Sequence, residues 1–132
     1  MTTLVTVDIS PGELVDKITI LEIKLERITG EAKLQNVRTE WTVLTQARDA
    51  NLPRSTELDD LTAKLKEVNE KLWVIEDDIR DCERQKDFSH EFIRLARAVY
   101  FNNDDRAQLK RRINHRFSWW FFFELFKIEP GI

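Results

Sequence analysis

A continuous pattern of apolar residues between Leu58 and Cys82 constrains this chain more than any other feature of its sequence. Eight of them recur at spacings of three and four: Leu58, Leu61, Leu65, Val68, Leu72, Ile75, Ile79 and Cys82. A seam of this kind over about four heptads is typical of a long helix packed lengthwise against another helix. The sequence therefore predicts a coiled-coil-like helix over residues 57–86. Its partner is either the first helix of the same chain, folded back, or a helix of a second chain.

The remaining elements follow from apolar periodicity and from capping residues. Ser10 and Pro11 are typical of a helix start, and Gly30 of a helix end. Asn and Asp residues at 102–105 predict a break and a fresh cap, because these residues favour helix ends. The predicted helices are 11–29, 31–50, 57–86, 88–102 and 105–127. Residues 4–9 alternate in the manner of a strand and predict a short extended arm.

These elements predict one all-α domain over residues 1–132. We expect a helical hairpin or bundle built on the first and third helices, with the others packed around them and one short extended segment at the N-terminus. Three glycines and three prolines are too few for a barrel or a sandwich, which needs many tight turns.

The composition disfavours several classes of function. The single cysteine, Cys82, excludes a disulfide framework and a four-cysteine zinc site, and the two histidines lack metal-ligand spacing. We therefore predict no catalytic residue, no metal site and no cofactor, and we favour a non-enzymatic protein. The N-terminus does not resemble a signal peptide, and no run of about 18 apolar residues occurs, so we expect a cytoplasmic protein.

Two stretches of the chain carry a family resemblance. One runs from Ser10 to Lys24, and the other from Leu72 to Glu83 with continuations at 95–100 and 109–114. Together they resemble an uncharacterised family of short bacterial proteins, catalogued as a domain of unknown function. The likeness covers about residues 4–115 and leaves the aromatic tail unmatched. It implies an all-helical domain in a bacterial or phage setting and no particular activity.

Charged residues flank the apolar stripes of three predicted helices and form the candidate binding set. Its members are Lys17, Lys24, Glu76, Glu83, Arg106 and Lys110. They are interpreted first as salt bridges at the core boundary, like those beside a coiled-coil seam. The alternative is a charged pocket between helices that holds an anionic small molecule, in a small ligand-binding protein or enzyme. A nucleic-acid partner is disfavoured, because the positive residues between 106 and 116 form no single basic stripe.

The end of the chain is unusually aromatic. Seven of the 13 aromatic residues fall between Phe117 and Phe126, and wound as a helix they would cover nearly every face. Such a segment needs to be buried, because each aromatic side chain contributes roughly 2–3 kcal/mol on burial. The residues predicted to form an interface are Val5, Val7, Trp119, Trp120, Phe122 and Phe123.

The sequence thus favours a helical interaction or assembly protein that acts as a homodimer or larger homo-oligomer. Two other destinations stay open for residues 117–128. One is a membrane surface, which would make this a peripheral membrane protein. The other is a surface of a different protein.

Overall fold

The chain folds into four α-helices. The computed structural model describes residues 3–117, which contain no strand. The helices are α1 (Pro11–Arg27), α2 (Glu31–Asn51), α3 (Thr56–Arg84) and α4 (His90–Arg116). Within this part of the chain, α3 packs against α1 and α4, and α2 packs against α1 alone. The all-α fold class predicted from the sequence is confirmed.

The residues that start α1 and α3 do so as their chemistry predicts. The Ser10 hydroxyl oxygen accepts a hydrogen bond from the Glu13 backbone N–H at 3.2 Å, and Pro11 occupies the first turn. The Ser55 hydroxyl accepts from the Leu58 backbone N–H at 3.0 Å. The helices start and end within two residues of the predicted positions, apart from the region of α4.

The predicted break at residues 102–105 is wrong. A single helix, α4, runs through Asn102, Asn103, Asp104 and Asp105 without interruption. Leu95 and Leu109, on either side, are both buried on the inward face of this helix. Packing of that face against the rest of the protein outweighs the weak helix propensity of four successive Asn and Asp residues. The chain therefore has a 27-residue helix where the sequence predicts two.

The core lies where α1, the first half of α3 and the second half of α4 meet. One cluster of buried residues fills it: Val15, Leu52, Leu58, Leu61, Leu65, Val68, Leu109 and Ile113. The heptad pattern of α3 thus packs within the chain, where α4 and α1 cover it. Farther along α3, Leu72, Ile75 and Ile79 are only half-buried.

The two ends of the chain were predicted to supply an interface. Residues 4–9 form neither helix nor strand, and Val5 and Val7 are 80% and 68% exposed. An extended arm with an interface role therefore stays a prediction. Phe117 is the last residue that the structure describes. The predicted continuation of the last helix to residue 127 lies outside the described residues. So do the other predicted interface residues, Trp119, Trp120, Phe122 and Phe123.

Gly12 brings α1 into direct backbone contact with α4. Its N–H donates to Asn114 Oδ1 at 2.7 Å, and a Cβ atom built on Gly12 would lie 2.4 Å from the Lys110 carbonyl oxygen. Gly12→Ala is therefore expected to lower the free energy of unfolding by about 2 kcal/mol, because backbone atoms must move apart. Chemical denaturation checks this value.

The sign of the effect makes this prediction specific. Inside a helix, alanine is normally favoured over glycine by about 1 kcal/mol, so a loss of stability reports the steric contact. Gln35→Ala, at an exposed position of α2, is the control and should change stability by less than about 0.5 kcal/mol. A Gly12→Ala protein as stable as the wild type would contradict the close approach.

Candidate functional site

A buried carboxylate on α1 is the centre of the candidate site. Asp16 is 1% exposed, and both of its oxygens accept hydrogen bonds from Arg106 of α4, Oδ1 from Nε at 2.9 Å and Oδ2 from Nη2 at 2.5 Å. Asn69 of α3 donates from Nδ2 to Asp16 Oδ1 at 2.9 Å. This carboxylate therefore joins α1 to both helices of the α3–α4 pair.

Two further side chains complete this cluster. Asn69 Nδ2 also donates to Thr19 Oγ1 at 2.9 Å, and the Thr19 hydroxyl donates to the Asp16 carbonyl oxygen at 2.7 Å. Lys110 Nζ lies 3.9 Å from Asp16 Oδ2 and 2.7 Å from Glu13 Oε2. The set formed by Asp16, Thr19, Asn69, Arg106 and Lys110 is called the polar junction below. In residues 3–117, no buried side-chain nitrogen or oxygen lacks a hydrogen-bond partner.

The charges of the polar junction favour an ionised Asp16. Burial alone raises the pKa of Asp16, but the hydrogen bonds from Arg106 and Asn69 and the positive charges of Arg106 and Lys110 outweigh it. The pKa of Asp16 therefore lies below its ordinary value. Hydrogen bonding to Asp16 correspondingly raises the pKa of Arg106.

An open groove of about 390 Å³ lies beside the polar junction, between α1, α3 and α4. Its walls are Ile20, Ile23, Asn69, Leu72, Trp73, Glu76, Asp77, Arg80, Asn103 and Arg106. Arg106 makes its two short hydrogen bonds to Asp16, and Arg80 Nη1 lies 3.6 Å from Asp77 Oδ1. Each arginine of the groove thus has a carboxylate beside it, so the groove has no unopposed positive charge for an anion.

The structure brings together three of the six predicted binding residues. Arg106 and Lys110 both approach Asp16, and Glu76 lines the groove that Arg106 also reaches. Lys17 and Glu83 are exposed and Lys24 is half-buried, and none of these three belongs to the polar junction or the groove. Binding by these residues stays a prediction.

The central residues of the polar junction, Asp16 and Asn69, were missed by the sequence interpretation. Both follow a buried valine on the inward side of their helix, Val15 in α1 and Val68 in α3. A polar residue beside the apolar stripe is a detectable signal, because a buried polar group needs a partner. The partner itself could not be identified, because Asp16 and Asn69 are 53 residues apart in the chain.

The chemistry of the polar junction is that of a structural anchor. A carboxylate that accepts bonds from Arg106 and Asn69 and has a lowered pKa is a weak general base. Within the described residues, no group of three His, Cys, Asp or Glu side chains could hold a metal ion. The arrangement fixes α1 on the α3–α4 pair.

A protein-family model matches most of the chain. No curated protein and no solved structure matches the chain. A protein-family model described as a family of unknown function, DUF6165, matches residues 5–123. The match extends through Phe123, so the first part of the aromatic tail, which the sequence resemblance left out, falls inside it. The chain therefore belongs to DUF6165, a family of unknown function.

Proposed function

We propose that this protein is a helical assembly module that forms a homo-oligomer through one end of its body. The observation that supports the proposal is the contact between Gly12 and Asn114, which places the start of α1 beside the end of α4. The N-terminal arm, defined as residues 4–9, therefore joins the body at the same end as Phe117, after which the aromatic sequence begins. We call this end the basal end.

The start of α3 also belongs to the basal end. Arg116 Nη1 lies 3.0 Å from Glu57 Oε2, and Arg116 Nε donates to Ser55 Oγ at 3.2 Å. Phe117 packs against the core cluster at this point. The starts of α1 and α3 and the end of α4 thus meet at the basal end.

The apolar character of the arm favours a partner. Leu4, Val5 and Val7 expose most of their side chains, and contiguous exposed apolar surface is typical of interaction sites. The alternation of residues 4–9 would place Val5, Val7 and Ile9 on one face if the arm pairs as a strand. Two arms related by a twofold axis can satisfy each other's backbone groups and cover these side chains.

Self-association is supported better than ligand binding or catalysis. The polar junction has its hydrogen bonds satisfied within the chain, and each of the two arginines of the groove has a carboxylate beside it. Among residues 3–117, no helix has both the length and the hydropathy of a membrane-spanning segment. These contacts leave the exposed apolar surface of the basal end unexplained.

Charge introduced into the arm tests the proposal. We expect the wild type to be a dimer or larger oligomer at micromolar concentration by light scattering, and the double variant Val5→Asp/Val7→Asp to be a monomer. Helicity by circular dichroism should not change, because both side chains are exposed. Val43→Asp, on α2 and 57% exposed, is the matched control and should stay oligomeric. A monomeric wild type would rule the proposal out.

Truncation after Phe117 tests whether the aromatic tail packs within the oligomer or binds a membrane. A monomeric truncated protein supports oligomer packing. If the truncated protein stays oligomeric and loses binding to vesicles of anionic phospholipid, the tail is a membrane anchor, and its part in oligomer packing is wrong.

A further inference from the structure

The outward face of α4 carries an ordered row of side chains. Ile93, Arg97, Tyr100 and Asp104 follow one another at spacings of four, three and four, so they lie on one side of the helix. The buried residues of α4, Leu95, Leu109 and Ile113, lie on the opposite side. We call the four outward residues the outer stripe, and all of them are exposed.

The outer stripe combines apolar surface with charges of both signs. Ile93 is 53% exposed and Tyr100 54%, which is high for side chains of their size. The Tyr100 and Phe101 ring centroids are 4.9 Å apart, and the Arg97 guanidinium carbon lies 5.6 Å from the Phe101 centroid. A cation and two aromatic rings are thus already grouped on a surface that no other described part of the chain covers.

We propose that the outer stripe pairs with the outer stripe of a second copy, the two α4 helices running antiparallel. The midpoint between Arg97 and Asp104 falls between Tyr100 and Phe101. A twofold axis at that level places Arg97 of each copy opposite Asp104 of the other, with the aromatic residues between the two ion pairs. The part of the stripe from Arg97 to Asp104 is therefore complementary to its own reverse in charge, and Tyr100 of each copy falls opposite Phe101 of the other.

Charge also selects the direction of pairing. Two parallel α4 helices in register would place Arg97 beside Arg97 and Asp104 beside Asp104, and like charges so placed repel. Only the antiparallel arrangement turns both charges into attractive pairs. The order of residues along the stripe thus specifies a twofold contact.

This contact is separate from the basal end. Asp104 lies ten residues before Asn114, which is about 15 Å along the helix. A chain with two self-complementary surfaces forms assemblies larger than a dimer. One pair of helices buries less surface than a standard interface, so this contact is weak alone and gains strength when the basal end also holds the copies together.

Disulfide trapping in the full chain tests the pairing. Tyr100→Cys lies next to the proposed axis, so two copies are expected to form a disulfide-linked dimer under mild oxidation. Asp105→Cys, also exposed on α4 but rotated away from the stripe, is the matched control and should form little. The wild type reports any background from the native Cys82, which is buried.

Charge reversal makes the test specific to the antiparallel pairing. In the Tyr100→Cys chain, adding either Arg97→Asp or Asp104→Arg should slow disulfide formation about tenfold, because both ion pairs become repulsive. Mixing these two variants should restore the rate between unlike chains, and combining both changes in one chain should restore it between like chains. Equal rates for the parent and the single-charge variants, or no recovery on mixing, would overturn the proposal.

The same measurement in the Val5→Asp/Val7→Asp background separates this inference from the proposed function. If the basal end plays no part in assembly, trapping at residue 100 still depends on Arg97 and Asp104. If the outer stripe instead binds a different protein, the charge variants lose no trapping rate, and the pairing is excluded.

Discussion

Asp16→Ala is expected to lower the free energy of unfolding by about 3 kcal/mol. Removing one member of a buried ion pair leaves its partner desolvated, which costs about 3–5 kcal/mol. The lower end applies here, because the Arg106 side chain is 28% exposed and recovers some hydration. Asn69 also loses the Asp16 carboxylate oxygen as a hydrogen-bond acceptor inside the core. Denaturant unfolding followed by circular dichroism measures the change.

The neighbouring pair between Asp77 and Arg80 provides the control. Both side chains are more than half exposed, so Asp77→Ala should change stability by less than about 0.5 kcal/mol. Arg106→Leu should cost less in the Asp16→Ala background than in the wild type, because the uncompensated charge has gone. Equal costs in the two backgrounds would show that Asp16 and Arg106 are not coupled.

Acid unfolding gives an independent measure of the same carboxylate. The pKa of Asp16 is lower in the folded protein than its ordinary value, so the ionised group contributes stability above the unfolded pKa of about 3.9. That contribution is lost as the pH falls through the lower folded pKa. The wild type should therefore lose more stability than Asp16→Asn between about pH 5 and pH 3.

Leu65→Ala is expected to lower the free energy of unfolding by about 3–4 kcal/mol. Leu65 has no exposed surface and lies in the core cluster that joins α1, α3 and α4. Truncation of a fully buried leucine removes its transfer free energy and leaves a cavity that the helices fill only in part. Thermal and chemical denaturation both measure this loss.

The matched control for Leu65→Ala lies farther along the same helix. Val74 is 45% exposed, and Val74→Ala should change stability by less than about 1 kcal/mol. Similar losses at the two positions would place the core elsewhere along α3.

Local sequence signals determined most of the helices. Ser10 and Ser55 accept hydrogen bonds from the first turns of α1 and α3, because a capping hydroxyl acts on backbone groups only three residues away. The spacing of Leu58, Leu61 and Leu65 likewise placed one face of α3 in the core. These features depend on neighbouring residues, so they can be predicted without knowing the fold.

The tertiary structure decided the continuity of α4. Asn102 to Asp105 have the composition of a break, yet packing of Leu95 and Leu109 on one inward face favours a single helix through them. Propensities of a few tenths of a kcal/mol per residue are smaller than the contribution of two buried leucines. Similarly, the sequence did not identify which helix packs against the apolar seam of α3. In the fold, α4 and α1 cover that seam.

The polar junction depends on contacts between distant parts of the chain. The sequence placed Arg106 and Lys110 at the boundary of the core, because each falls beside an apolar stripe. It did not indicate that both approach Asp16, since 90 residues separate Asp16 from Arg106. By itself the sequence determined the helices and which of their faces are apolar. Only the tertiary structure decided which polar groups meet, because a buried charge is satisfied by whichever partner the packing of the helices brings within hydrogen-bond distance.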